Sequence, residues 1–402
     1  MTPMHFASPR PLRHPGRGFC AAALALLWTA AASAQNTPPA ASDSTRSQAS
    51  PTDVLTLDQW QQVGTSVDRA LAWVATRQQA NGAFESPDSG QPGITSLCIL
   101  AFLSRGHLPD QGPYGSHMRK AVDFVLSCQK DGGLLSYAQP GPTHQSRQPS
   151  HTATYNHAIS SVMLCELYGM DARHSSQAVR KAIDRALEFT VAHQKVQKRR
   201  SHDKGGWRYL RRFVDNTDSD LSITSWQLMF LRAARNAGFD VPAETVDAGI
   251  QYVERCGAHR DGTFRYGLGA PNDDSYSWAM AGAGILSLSM AGHHDTRLAR
   301  EAGDWLLAQP FDVYKPAYTS WTRYNRYHYS MFYCSQAMYQ LGGNHWRLFY
   351  PRMTRTLLTH QQRDGSWEDE NGGDSYFGNT YTTAMAVLAL TVPYQVLPIF
   401  QR

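Results

Sequence analysis

The chain has 402 residues, 18% charged side chains and a formal charge of +5. So mild an imbalance excludes a nucleic-acid partner, which requires a concentrated basic face. No glycine-rich phosphate cradle, no G-x-S-x-G elbow and no Cys-Gly-Glu-Gln thioester occurs, so the corresponding chemistries have no motif here.

In chain order, residues 1–34 come first: Arg10, Arg13 and Arg17 precede the apolar run CAAALALLWTAAA, which ends at Ala32-Ser33-Ala34. This pattern is expected of a secretory signal peptide. The run is shorter than the roughly 20 residues that span a bilayer, so export across the inner membrane to the periplasm or beyond is expected, with no stable membrane span. Removing it takes away three arginines and no acid, leaving a nearly neutral chain. Residues 35–56 are rich in Pro, Ser, Ala and Thr without apolar periodicity, as in a flexible linker. Five cysteines follow, an odd number with no compact spacing, and are expected to be small buried apolar residues.

From 57 to 402 the chain repeats itself. Amphipathic runs such as VDRALAWVATRQQ, MRKAVDFVLSCQ and PRMTRTLLTHQQ predict half-buried outer helices. Turns of matched spacing follow them: Gln79, Gly82 and Phe84; Gln129, Gly132 and Leu134; Gly205 and Trp207; Gly262 and Phe264; Gln362, Gly365 and Trp367. A basic insert, KVQKRRSHDK, separates Gly205 from Gln194 and reads as a solvated loop. A sixth copy, EAGDWLLAQPF, is degenerate, with Pro310 where the turn should open. After each turn comes a segment apolar on nearly every side, such as GITSLCILAFLSRG or YTTAMAVLALTVP, which predicts an enclosed inner helix. The fold class is therefore all-α, with six outer/inner helix pairs. In each turn Gln bonds free carbonyls, Gly supplies a positive φ and the aromatic residue covers the joint.

Gln-x-Asp/Asn-Gly-x-aromatic after an outer helix resembles the QW repeat of squalene–hopene cyclases and the related repeat of protein prenyltransferase β subunits. The resemblance covers Leu57 to Phe400 and extends to exported single-domain prenyltransferase and squalene oxidase repeat proteins. It implies an (α/α)6 toroid whose inner-helix N-termini converge on one mouth of a central cavity. Class II cyclases protonate an alkene with a DxDD motif; Asp218-Ser219-Asp220 matches its first three positions, with Asp220 on the proton donor, and Leu221 departs from the fourth. An alkene is a very weak base, so the acid must be held protonated. Alternatively Asp220 caps the helix that follows, as Asp274 does in NDDSYSWAM. The chain has room for one of the two barrel domains of the cyclases, which argues against full polycyclisation. The prenyltransferase zinc set is incomplete: no Cys stands beside Asp274, and His328 with Cys334 falls short of a ligand set. Neither metal nor cofactor is expected.

The segment YKPAYTSWTRYNRYHYSMFY brings Tyr324, Arg326 and His328 to the mouth. Such residues line an apolar cavity, stabilise cations, or act as the Arg/Tyr/His set of a polysaccharide lyase; a loop packed over the mouth by its aromatics is the plainer reading. SHTATYNHAISS places His151, Tyr155 and His157 at another inner-helix start, facing the mouth or capping. The expected function is ligand binding in the central mouth, with an apolar isoprenoid or a carbohydrate as ligand. Two enzymatic alternatives stand beside it: an Asp220-dependent isoprenoid cyclase or isomerase, and a carbohydrate-active lyase or hydrolase.

Overall fold

The computed structural model describes residues 52–170, 177–215, 217–257, 262–269, 276–293, 295–316, 325–370 and 372–401. The expected signal peptide and most of the expected linker lie outside them. Twelve helices follow in order: α1 (Leu57–Ala75), α2 (Gly93–Ser104), α3 (Gly115–Ser127), α4 (Pro149–Met170), α5 (Gln177–Gln194), α6 (Leu221–Asn236), α7 (Ala243–Gly257), α8 (Trp278–Met290), α9 (Arg297–Leu307), α10 (Tyr327–Leu341), α11 (Gly343–Thr359) and α12 (Gly378–Leu390).

The even-numbered helices pack side by side in sequence, and α12 returns to α2, closing an inner ring; the odd-numbered helices pack around it. Composition dictates this sorting. α1 buries only the stripe Val63, Val67, Ala70, Leu71 and Val74 with its near neighbours, whereas every residue of α2 is buried. Two elements start earlier than their apolar runs suggest. α4 begins at Pro149, carrying His151 and Tyr155 beyond the ring, and α11 begins at Gly343, holding Pro351 inside the helix. The five described cysteines are buried and unpaired. Among the described residues no helix is long and apolar enough to cross a membrane.

The turns stitch each outer helix to the next. Gln78 Nε2 donates to Gly82 O at 3.0 Å and to His117 O of α3 at 2.8 Å. Gln129 bonds Gly133 O and Ala182 O of α5; Gln194 bonds Gly205 O and Thr245 O of α7. Gln361 bonds Gly365 O and, closing the outer ring, Ser66 O of α1. Three expected positions are thus displaced by one residue. Gln79 and Gln362 are exposed and give only backbone bonds and a local contact to Ser366, while Gln78 and Gln361 reach the neighbouring helix. Gly132 stands in open space, and the left-handed residue is Gly133, at φ +86°. A Cβ at Gly82, Gly133, Gly205 or Gly365 would collide with the backbone of the following outer helix, so these positions need glycine for close approach as well as for φ. Gly262, at φ +64°, packs beside Glu301 of α9. In the degenerate copy, Gln309 bonds Trp305 O of its own helix.

The joint residues Phe84, Leu135, Trp207, Phe264 and Trp367 are fully buried, Leu135 taking the place expected of Leu134. Their backbone N–H groups are satisfied from the inner helices: Phe84 by Thr95, Leu135 by His157, Trp207 by Thr224 and Trp367 by Thr383. His157 is therefore a post inside the wall. Its other ring nitrogen meets Thr190 Oγ1 at 2.9 Å, and burial pushes its pKa down to about 3, which removes it from the expected mouth set.

Candidate functional site

A cavity of about 690 Å³ opens where the inner helices begin. Its deeper wall is apolar, formed by Leu97 of α2, Ile159 of α4, Trp226 of α6, Met280 of α8 and Met385 of α12. Trp226 is locked in place: its ring stacks on Phe332 at 5.3 Å and its Nε1 donates to Tyr329 OH at 3.0 Å. Tyr329 OH in turn pairs with Ser222 Oγ at 2.8 Å, and Tyr155 OH donates to the same oxygen, so a hydroxyl belt ties α4, α6 and α10 together across the wall.

The mouth is charged. Arg147, Arg208 and Arg326 line it together with Asp215 and Asp374. Arg208 donates to Asp215 Oδ2 at 2.6 Å and to Thr217 O at 3.2 Å, and its guanidinium lies over the rings of Tyr209 and Tyr266. Arg326 pairs with Asp374 at 3.2 Å. Burial raises the pKa of Asp374, against the pull of Arg326. Asp215 and Asp374 lie in the segments that precede α6 and α12, two helices that stand opposite each other in the closed ring.

Asp220 is the N-cap of α6: Oδ1 accepts from Ile223 N at 2.8 Å. Both sequence readings of this residue remain chemically compatible, because the cap uses one oxygen. Oδ2 has no hydrogen-bond partner, and the similarly unpartnered Nε of Arg208 lies 3.7 Å away. Asp220 is completely buried, and its pKa is pushed up to about 6 by burial, opposed by Arg208, the Ile223 amide and the Tyr266 hydroxyl. It stands behind the cavity surface, where Ser222, Arg208, Tyr209 and Tyr266 are exposed to the interior. Tyr209 and Tyr266 share a hydrogen bond of 2.9 Å.

The other expected residues have different places. Asp218 faces away from the cavity in an ion pair with Arg199 at 2.6 Å; although burial favours its neutral acid, Arg199 holds its carboxyl below the usual range. His328 is enclosed between Glu370 Oε2 and Tyr314 OH, each 3.2 Å from a ring nitrogen, and does not line the mouth. Glu370 also accepts the N–H groups of Tyr327 and His328, so this cluster caps α10. Arg326 does line the mouth, while Asp274 and Tyr324 lie outside the described residues. His151 lines the cavity, stacked on Tyr209 at 4.2 Å and paired with His144; burial, with His144 and Arg208 adding to it, pushes its pKa down to about 4. Sequence reasoning missed Arg208, Tyr209, Asp215, Trp226, Tyr266 and Asp374. The one local signal was the Arg- and aromatic-rich run RYLRRF directly after Trp207.

No family model and no curated protein matches the sequence. Solved structures do match. Type II terpene cyclase MstE from Scytonema, in complex with geranylgeranyl dihydroxybenzoate, superposes with a TM-score of 0.55 at 12% identity over 86% of this chain and 100% of the other. The fold is an α/α toroid, as it is in this terpene cyclase. A novel α-amylase from Clostridium perfringens matches at 0.54 and 11% identity over 81% and 97% of the two chains, and a glycosidase at 0.52 and 13% over 86% and 100%. Identities this low carry the toroid architecture alone, which both isoprenoid and carbohydrate enzymes use.

Proposed function

We propose that the toroid binds an amphipathic, isoprenoid-type molecule and that Asp220 serves as the acid for its isomerisation or limited cyclisation. The supporting observation is the pairing of an apolar chamber with a buried carboxyl group beside it that is held partly protonated near neutral pH. A volume of about 690 Å³ falls within the about 300–1,000 Å³ of ligand cavities. The apolar chain would lie against Leu97, Ile159, Trp226 and Met385, and a polar or anionic head would meet Arg147, Arg208 and Arg326. In this mechanism the Asp220 proton reaches a substrate alkene through the Tyr266 hydroxyl, which lines the cavity beside Asp220 and gives up its own proton as it takes the carboxyl's. Trp226 and the tyrosine rings then face the developing cation, and the Asp220 carboxylate is left beside Arg208; the cation becomes an alkene again by losing a proton from a neighbouring carbon to water, and the carboxyl regains its proton from solvent. MstE, with the same fold, is described with a geranylgeranyl substrate and with merosterolic acid A as product.

Native mass spectrometry with geranylgeranyl dihydroxybenzoate and, separately, a malto-oligosaccharide tests the ligand class. A one-to-one isoprenoid adduct, lost in Leu97→Trp with helicity retained, is the expected result. Oligosaccharide binding alone would support the second reading, a carbohydrate-active toroid, which draws on the two cavity-lining carboxyl groups Asp215 and Asp374. The leader at residues 1–34 places this activity after export in the proposal; N-terminal sequencing of the mature protein should begin at Gln35.

A further inference from the structure

Three of the stitched turns place the bridging Gln four residues before its glycine, as Gln78 to Gly82, Gln129 to Gly133 and Gln361 to Gly365. In the copy preceding Asp220 the separation is eleven, Gln194 to Gly205. The additional residues are the basic insert; Lys195, Val196, Gln197, Arg199, Ser201 and Lys204 are exposed, as expected of a solvated loop, yet the insert also makes specific bonds to the segment before α6. Lys198, Arg199 and Asp203 bond the extended segment Asp218-Ser219-Asp220.

Each backbone and carboxylate polar atom of Asp218 is taken by this insert. Asp203 Oδ2 accepts from Asp218 N at 3.0 Å, and Lys198 Nζ donates to Asp218 O at 3.1 Å. Arg199 holds the carboxylate through three groups: its backbone N–H to Oδ2 at 2.6 Å, Nη2 to Oδ1 at 2.6 Å, and Nε to Oδ1 at 2.9 Å. Ser219 Oγ donates to Asp203 O at 2.6 Å, and a Cβ on Gly206 would strike Ser219, so the turn lies directly against the segment. Next in the chain is Asp220, with its N–H bonded to Trp207 O at 2.9 Å. A multidentate arginine clamp of this kind fixes geometry more tightly than a single bond does.

We infer that the insert is a positioning device for Asp220: Lys198, Arg199 and Asp203 lock Asp218 and Ser219, and through them hold the next carboxyl sealed behind the cavity wall. The importance of this device for turnover rests on the reading of Asp220 as the acid; the clamp itself does not. A buried ionisable group tends to escape to water by local opening, and pinning the residues that precede it closes that route. The charged and titratable groups that face Asp220 include Arg208, Lys198, Asp215 and Cys256 and the hydroxyls of Tyr155, Tyr209, Tyr252, Tyr266 and Tyr329. Arg199 bonds Asp218 and Phe213 O and not Asp220, and loss of its positive charge alone would raise the Asp220 midpoint, so a fall on changing Arg199 reports the clamp.

The test is a carboxyl ¹³C NMR titration of Asp-labelled protein, with Asp220 assigned by its loss in Asp220→Asn, together with kcat and KM for an isoprenoid substrate. Arg199→Ala should lower the Asp220 midpoint by about one unit or more, as water reaches the carboxyl, and Arg199→Lys should recover part of the shift. Turnover should lose kcat with KM nearly constant. If Arg199→Ala does not fold, Ser219→Ala, which removes the uncharged bond to Asp203 O and leaves every charge in place, should shift the midpoint in the same direction. A midpoint unmoved in the folded variants overturns the inference. A midpoint that moves in a protein that turns over no isoprenoid leaves the clamp standing and removes the proposed function, so the two ideas fail separately.

Discussion

At the scale of single residues, Asp220 carries the chemistry and a cost. Its pKa lies near 6, against about 3.8 in an unfolded chain, so the folded state binds the proton more tightly. Its contribution to stability is therefore greatest at low pH and falls as pH rises from about 4 through about 6. Above that, the buried carboxylate costs on the order of 2–3 kcal/mol. Asp220→Asn keeps a good N-cap and removes the charge, so denaturant unfolding at pH 8 should show a gain of roughly 1–3 kcal/mol, while any acid-dependent turnover falls by about 100-fold or more. At pH 4 the stability gain should disappear. Asp220 was legible in the sequence because a cap and a partial motif coincide there. Arg208, Tyr209 and Tyr266 were not, because their meeting depends on two turns far apart in the chain, and no local pattern records that contact.

Between residue and molecule, the repeating turn shows what local spacing leaves undetermined. RQQANG and HQQRDG each contain two adjacent glutamines, and QKDGG two adjacent glycines. Both registers fit the motif locally, and the next outer helix chooses between them. Gln361→Ala should destabilise the fold by about 1–3 kcal/mol, since it frees the buried-side carbonyls of Gly365 and Ser66. Gln362→Ala should stay within about 0.5 kcal/mol. Urea denaturation of the two variants decides the register; equal effects would refute it. His157 gives a second contrast. His157→Ala strands the N–H of Leu135 and should cost about 1–3 kcal/mol in the same measurement, without weakening ligand affinity. Its composition suggested a mouth residue; only the inner-helix register, in which it replaces a threonine, reveals its structural role.

For the molecule as a whole, the pairing of amphipathic and fully apolar runs was enough to read the toroid, because enclosure of six helices demands six others around them. The seal at its far end was not readable. The C-terminal segment around Leu397–Phe400 crosses onto the inner helices: Ile399 N donates to Glu166 Oε2 of α4 at 3.2 Å, and Gln340 of α10 donates to Phe400 O at 3.0 Å. Glu166 is buried, and burial pushes its pKa up to about 8, so its contribution weakens as pH rises from about 4.5 through about 8. Glu166→Gln should therefore raise Tm by about 2 to 5 °C at pH 9 and change it little at pH 4, as scanning calorimetry can show.

The central claim is that Asp220 delivers a proton to an isoprenoid held in the toroid. The most direct measurement is incubation of the protein with geranylgeranyl dihydroxybenzoate in D₂O, followed by mass spectrometry of the recovered isoprenoid. A rearranged product carrying one solvent-derived deuterium on a former alkene carbon should form, with none formed by Asp220→Asn. Bound but unlabelled ligand, or equal labelling by Asp220→Asn, would contradict it.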